Sequence, residues 1–410
     1  MPRCGKSYVL FKLFYEALLA EGVPADAIIR LDLGLTEHDR LRSALPLIAF
    51  VKAHLQHKPA YSWHYLLIDE VQLAERAALV LNSLQILEGL DIYVTGRDPR
   101  GLTTHTITEF RGRSEELKLY PVSFPEYLQL CEEHPELVPA HDRPGDKREL
   151  LLRDYLTYGA LPQVLLTEQI RDKSALLQTL LKEQCLNALK ERGRLNGTRK
   201  LKQVLMVAAQ SVGQLLNPLR IKELLRESHS AAALSVNTIK QYLELLEQEG
   251  WLIQVARYNL KRRHLTGSPF KYYFEDTGLC HALGGLAQNE QGLAALLENA
   301  VYLELCRRGY QVQVGVLPHR SMNSAGRRIH EGLEIDFVVN SVGRQCYVQT
   351  VWDIGGDTEH SPARQPLLGT DDYYPRFIVS ADPLRVGQDS LGINYLSLMK
   401  FLTQPQCLGL

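Results

Sequence analysis

Two short stretches about 60 residues apart constrain what this chain can fold into. The first is Arg3-Cys4-Gly5-Lys6-Ser7, which runs into a segment with apolar residues at helical spacing: Val9, Leu10, Leu13, Phe14 and Leu18. The second is Tyr65-Leu66-Leu67-Ile68-Asp69-Glu70, an apolar run that delivers two carboxylates at its end. Between them, Ile28 to Leu33 reads as a short strand and Leu45 to Leu55 as a helix, with Pro46 tolerable in its first turn. Ile92 to Thr95 is a further apolar run, closed by Gly96. Short apolar runs separated by helices indicate a parallel sheet with crossover connections.

A glycine-containing loop at a helix N-terminus presents unpaired backbone amides and the positive end of the helix dipole, which together bind phosphate. In this frame Arg3, Cys4, Gly5, Lys6 and Ser7 are the candidate nucleotide-binding residues. Lys6 adds a point charge for the outer phosphates of ATP, and the Ser7 hydroxyl is a Mg²⁺ ligand. Asp69 joins Ser7 as the candidate metal residue, and Glu70 is the candidate catalytic residue that polarises water. Taken alone, Gly-Lys-Ser is a common tripeptide and Asp69-Glu70 a solvated acidic pair; their combination favours a nucleotide site. The full pattern G-x-x-x-x-G-K-[ST] places its first glycine one position before Met1. The expectation is therefore that this start is internal, and that an in-frame extension of ~20 to 40 residues, a strand plus a loop, raises ATP affinity. Thr95 or Asp98 is a candidate sensor of the terminal phosphate, although a plain turn reads equally well there. Arg113, or secondarily Arg111, is a candidate to reach the nucleotide of a neighbouring subunit, which would make the protein an oligomer.

Net charge is -1, so no global field draws the chain to nucleic acid or anionic membrane. Seven scattered cysteines without C-x-x-C spacing point to reduced thiols in a cytoplasmic protein, not to a disulfide framework. No apolar run approaches the ~18 residues of a membrane span. Charge is nevertheless uneven along the chain. Residues 190–264 hold 14 Lys/Arg and 6 Asp/Glu, a local +8, and the remainder carries -9. This segment reads helix, helix, helix, then extended, the third helix spanning Ser235 to Glu249 with Ser235 or Asn237 at its cap. A basic turn, Lys261-Arg262-Arg263-His264, follows the strand-like Trp251 to Val255. Such an order is that of a winged helix, with Asn237, Thr238, Lys240, Gln241, Lys261, Arg262 and Arg263 as candidate contacts to double-stranded DNA. Glu244, Glu247 and Glu249 make the latter half of that helix acidic, which suits a protein partner instead.

Several blocks resemble a prokaryotic, largely uncharacterised family of AAA-type ATPases. They are Lys6-Ser7, Leu67-Ile68-Asp69-Glu70-Val71-Gln72, Thr95-Gly96, Phe110-Arg111-Gly112-Arg113, and Leu119-Tyr120-Pro121-Val122-Ser123-Phe124-Pro125-Glu126-Tyr127. Further along come Tyr155 to Pro162, Thr238 to Tyr242, Lys271 to Leu279, Leu297 to Leu305 and Leu333 to Phe337. The resemblance implies a multidomain α/β chain: a P-loop AAA-type parallel sheet whose first strand is missing (1–140), a helical lid (148–200), a winged helix (201–265) and a restriction-endonuclease-like α/β domain (266–410). A PD-(D/E)xK nuclease needs a helix acid, an aspartate at a strand end and (D/E)-x-K on the next strand, the carboxylates holding Mg²⁺. Glu298 and Asp336 match the first two, but Gln349 stands for the third acid and Val351 for the lysine. The expectation is thus an inactive remnant. Tyr272-Tyr273-Phe274 could stack on bases, but the core reading is preferred. The readings left open are a nucleotide-driven switch, a non-enzymatic DNA- or protein-binding module, and an Mg²⁺-dependent nuclease.

Overall fold

The computed structural model describes residues 3–57, 63–96, 115–138, 146–190, 198–228, 234–322, 328–354, 361–383 and 386–410. By its contacts the chain divides into two compact units, residues 1–119 with 248–250, and residues 120–247 with 251–410.

The first unit is built on a parallel sheet in the order β1 (Ile28–Asp32), β2 (His64–Asp69), β3 (Leu90–Val94). Ile29 pairs with Leu66 and Leu66 with Ile92, so the apolar runs lie side by side in register. Residues alternate between faces with the two-residue period of a strand. Ile29, Leu31, Leu66 and Ile68 point to a core shared with Leu47 and Val51 of the helix Ala44–His57 and Val80, Leu81 and Leu84 of the helix Ala77–Gln85. Ile28 and Leu67 point to the other face, where Leu10 and Leu18 of the helical stretch 6–20 cover them. Both faces are buried, which is why these strands read as unbroken apolar runs. The helix over residues 44–57 and the strands at 28–32 and 64–69 fall where the apolar pattern puts them.

The second unit contains a nine-stranded sheet ordered β11-β12-β10-β9-β8-β7-β5-β6-β4. These strands are β4 (Leu215–Leu216), β5 (Leu252–Asn259), β6 (His264–Phe274), β7 (Gln311–Met322), β8 (Arg328–Ser341), β9 (Arg344–Val351), β10 (Arg376–Ser380), β11 (Gly387–Gln388) and β12 (Ile393–Ser397). Three helices lead into the hairpin β5–β6: Thr198–Gln210, Pro218–Glu227 and Val236–Gln248, with β4 lying between the first two. The last is capped by Ser235, whose hydroxyl accepts from the Thr238 amide at 3.0 Å. The hairpin is not a separate sheet: β5 pairs in parallel with β7, Arg257 opposite Val314. Strands on either side of residue 265 therefore share one ladder. Backbone hydrogen bonding left unmade at a strand edge is costly to bury, so the edge of the hairpin takes up β7.

The helix Phe124–Glu133 opens on a capping box, Ser123 and Glu126 serving each other's backbone amides. Its Ser-x-x-Glu spacing is a signature of a helix start. Behind it, Tyr127 donates to Asp154 at 2.6 Å and Lys173 donates to the same carboxylate oxygen at 2.8 Å. All three side chains are buried. Lys173→Met is expected to destabilise the protein by about 3–5 kcal/mol, because it leaves Asp154 buried without its cation. Urea denaturation of the variant beside wild type checks this.

Candidate functional site

Asp69 closes β2 and is buried, while Glu70 follows it in the left-handed region at φ 53°. That backbone reversal is what separates the two carboxylates. Asp69 Oδ1 accepts from the Glu70 amide at 3.0 Å and from the Thr95 hydroxyl. Thr95 is tied to the same strand end by its backbone, its amide donating to Ile68 O and its carbonyl accepting from the Val71 amide, both at 2.9 Å. The ends of β2 and β3 are thus locked together by Thr95. Glu70 accepts from Gln72 Nε2 at 2.5 Å. Asp32, at the end of β1, lies opposite Asp69 in the ladder and accepts from the Gly34 amide at 2.8 Å. Ligands of open α/β sheets bind outside the carboxyl ends of the strands, which is the edge these residues line.

The helical stretch 6–20 begins at Gly5, which has φ 99°, a conformation favourable only for glycine. Its Val9 amide donates to Gly5 O at 2.9 Å. These fifteen residues, of which Val9–Phe14 are wound as a π-helix, span about 20 Å, comparable to the length of the strands. A short link of seven residues then leads to the start of β1. A helix packed along the sheet face that ends beside the start of β1 has its own N-terminus toward the opposite edge. Gly5, Lys6 and Ser7 accordingly lie toward the strand ends that carry Asp69, Glu70 and Thr95. Lys6 is half-buried, Arg3 and Ser7 are exposed, and Cys4 is buried with its thiol 3.6 Å from Leu119 O. By residue type this set suits a magnesium nucleotide: Ser7 and Asp69 would supply oxygen ligands, and Lys6 with the helix amides would meet phosphate. Arg111, Arg113 and Asp98 lie outside the described residues.

A second constellation forms in the other unit. Lys271 on β6 is 1% exposed, and its ammonium donates to Glu298 Oε1 at 2.9 Å, Glu334 Oε1 at 2.8 Å and Asp336 Oδ1 at 3.1 Å. Tyr273, two residues along the same strand, donates to Glu298 Oε1 at 2.6 Å. Asp336 Oδ2 accepts from both the amide and the hydroxyl of Thr350, each at 2.8 Å. Gln349 lies where β9 runs opposite Asp336 on β8, and its side-chain oxygen accepts from the Asp336 amide at 3.2 Å. Burial and the neighbouring Asp336 push the Glu298 carboxyl up to about 7, against the opposing pull of Lys271. Burial pulls the Lys271 ammonium down, but the carboxylates of Glu298, Asp336 and Glu334 outweigh it and hold its pKa well above the ordinary lysine value. Burial, with Glu298 beside it, raises the Tyr273 phenol. A cavity of about 390 Å³, lined among others by Gln210, Gly213, Gly285 and Asn289, reaches this cluster at Glu298 and Thr350.

Glu298, Asp336 and Gln349 are thus brought together, as the motif requires, yet they do not fit a metal ion. The ammonium of Lys271 already occupies the point on which the carboxylates converge. Lys271 and Glu334 were not singled out from the sequence, although a lysine inside Phe270-Lys271-Tyr272-Tyr273-Phe274 is a signal, since a buried lysine needs a carboxylate. Tyr272, Tyr273 and Phe274 are buried and belong to the core.

The candidate DNA-facing residues take exposed positions. Asn237, Lys240 and Gln241 are exposed on the helix Val236–Gln248, and Thr238 is half-buried against Ser235. Lys240 lies 3.9 Å from Glu244 one turn on. Lys261, Arg262 and Arg263 form the exposed turn between β5 and β6, with the Arg262 amide bound to Asn259 Oδ1 at 2.9 Å.

Among the described residues no helix is long and apolar enough to cross a membrane. The six cysteines whose side chains are described are free thiols. Residues 149–290 match a domain of unknown function (DUF8612). An uncharacterised protein of Haemophilus influenzae is 29% identical over 379 residues, 92% of this chain and 86% of that protein. An uncharacterised protein of Methanocaldococcus jannaschii is 23% identical over 314 residues, 75% of this chain and 65% of that protein. The Walker-type ATPase of Pyrococcus abyssi superimposes with a TM-score of 0.39 and 12% identity, over 69% of this chain and 98% of that one. A superposition that loose carries no weight. Residues 1–128 match the model of an AAA domain, so it is the N-terminal part of this chain, the part that carries Lys6, Asp69 and Glu70, that is similar to that family.

Proposed function

We propose that the protein is a nucleotide-driven switch: an ATP-binding AAA-type ATPase whose nucleotide state repositions a helical lid, a winged helix and a nuclease-like remnant. The observation that carries this is Asp69, buried at the end of β2 and held by Thr95, with Glu70 turned away from it by a left-handed backbone. Lys6, with the amides of Gly5 to Ser7, binds the phosphates. Ser7 and Asp69 would hold Mg²⁺, which would supply charge neutralisation at the terminal phosphate. Glu70 orients and deprotonates the attacking water, and Arg113 acts on the nucleotide of a neighbouring subunit. Phosphate release on a magnesium–ATP titration, wild type against Glu70→Gln, tests the reading. Absence of turnover in wild type, or equal turnover in the variant, overturns it.

A second reading is a binding module for double-stranded DNA, favoured by the exposed basic turn at the hairpin tip and the +8 balance of residues 190–264. The order helix, short strand, helix, helix, hairpin supports assigning residues 201–265 as a winged helix. Asn237, Lys240 and Gln241 would meet the groove and Lys261, Arg262 and Arg263 the phosphates. Replacing those three cations by alanine is expected to weaken DNA binding. It should also reduce the steepness of log K against log salt by about 2–3, since each phosphate left without its cation removes about 0.9 from the slope. Fluorescence anisotropy across a salt series reads both. An unchanged slope assigns the surface to a protein partner.

A further inference from the structure

We infer that Lys271 is the resident cation of the C-terminal centre, an internal ammonium that takes the place of a metal ion and fastens the basic hairpin to the C-terminal sheet. The inference deepens the reading of this part as a non-hydrolytic remnant and is independent of the ATPase reading.

The supply of donors and acceptors decides between an ammonium and a metal. A lysine ammonium has three N–H bonds, and Lys271 spends one on each of Glu298, Glu334 and Asp336, at 2.8–3.1 Å. These carboxylates come from three places in the chain: the helix Glu290–Arg307 and two positions of β8. Mg²⁺ bound to the same oxygens needs contacts of about 2.0–2.1 Å in an octahedron. It would therefore sit within van der Waals contact of the ammonium, and two cations so close in a buried site repel strongly. Two of the remaining ligand atoms are already engaged. The second oxygen of Asp336 is taken by two donors of Thr350, and the Gln349 carbonyl by the Asp336 amide. Glu298 Oε2 faces Gly213, where a Cβ would lie only 2.4 Å away.

The consequence is mechanical. β6 carries Lys271 and also forms one arm of the hairpin whose turn holds Lys261, Arg262 and Arg263. Through Lys271 that arm is clamped to the helix Glu290–Arg307 and to β8 without any exogenous ion. The centre is then a metal-independent joint that transmits the position of the hairpin to the C-terminal strands.

The test is a manganese titration of the full chain without nucleotide, read by electron paramagnetic resonance and by thermal melting. Wild type and Asp336→Asn should bind Mn²⁺ alike, and neither melting temperature should respond to EDTA or Mn²⁺. Lys271→Met frees the three carboxylates and should gain about one equivalent of bound Mn²⁺ that Lys271→Met/Asp336→Asn lacks. Binding to wild type that falls tenfold or more in Asp336→Asn overturns the inference, as does a folded Lys271→Met that gains no ion. If Lys271→Met does not fold, the comparison of wild type with Asp336→Asn decides alone. Failure of ATP turnover leaves every one of these outcomes unaltered.

Discussion

Glu70→Gln is expected to lower ATP turnover by about 10²-fold or more while ATP is still bound. A positioned general base contributes about 10²–10⁴ to rate, and glutamine keeps the shape and the hydrogen bond but accepts no proton. Geometry assigns the loss to chemistry and not to folding. Glu70 is half-buried and outside the strand ladder, whereas Asp69 next to it is buried and bonded to Thr95. The corresponding change at Asp69, to asparagine, would keep an acceptor for Thr95 but alter the charge at a buried position bonded to Thr95 and the Glu70 amide, mixing stability with catalysis. A fluorescent ATP analogue titrated against Glu70→Gln, with phosphate release measured in parallel, separates the two quantities. Loss of binding together with turnover would place Glu70 in the structural frame instead.

Lys271→Ala should cost about 3–5 kcal/mol, since it leaves three converging carboxylates without their cation. The wild-type centre also makes stability depend on pH, in a direction that follows from Glu298. Its carboxyl lies near 4.5 in the unfolded chain and is pushed up to about 7 in the folded protein by burial and Asp336. Folding therefore favours the protonated form. The stability that this contributes is fully present below about 4.5 and is lost as pH rises through about 7. Glu298→Gln, which cannot ionise, should flatten this part of the pH–stability curve. Chemical denaturation at pH 5 and pH 8 on both proteins measures it. A wild type that gains stability over this interval relative to Glu298→Gln would contradict the assignment.

Much of the first unit was legible from residue order because its strands are buried on both faces. Ile28 to Leu33, Tyr65 to Ile68 and Ile92 to Thr95 each stand out as apolar runs, and each coincides with a strand to within two residues at its ends. The helix Val236–Gln248 was legible for local reasons as well, from its apolar spacing and from Ser235 at its cap. The joining of β5 to β7 was not. A parallel pairing between distant segments leaves no periodic trace, because period two records which face a residue takes and not which strand lies beside it. Lys271 was hidden by the same logic. Within Phe270 to Phe274 it looks like an interruption of a core strand, and only the arrival of Glu298, Glu334 and Asp336 makes it the centre of a cluster.

The sequence by itself determined the local chemistry: a glycine and lysine before a helix, two carboxylates after a strand, a basic turn between two strands. These depend on neighbours a few residues away, where spacing dictates geometry. Tertiary structure alone decided which distant groups meet. It set Thr95 against Asp69, and it filled an apparent metal centre with an ammonium from residue 271. Sheet order and register bring those side chains within hydrogen-bonding reach of one another, and burial then makes their charges depend on each other.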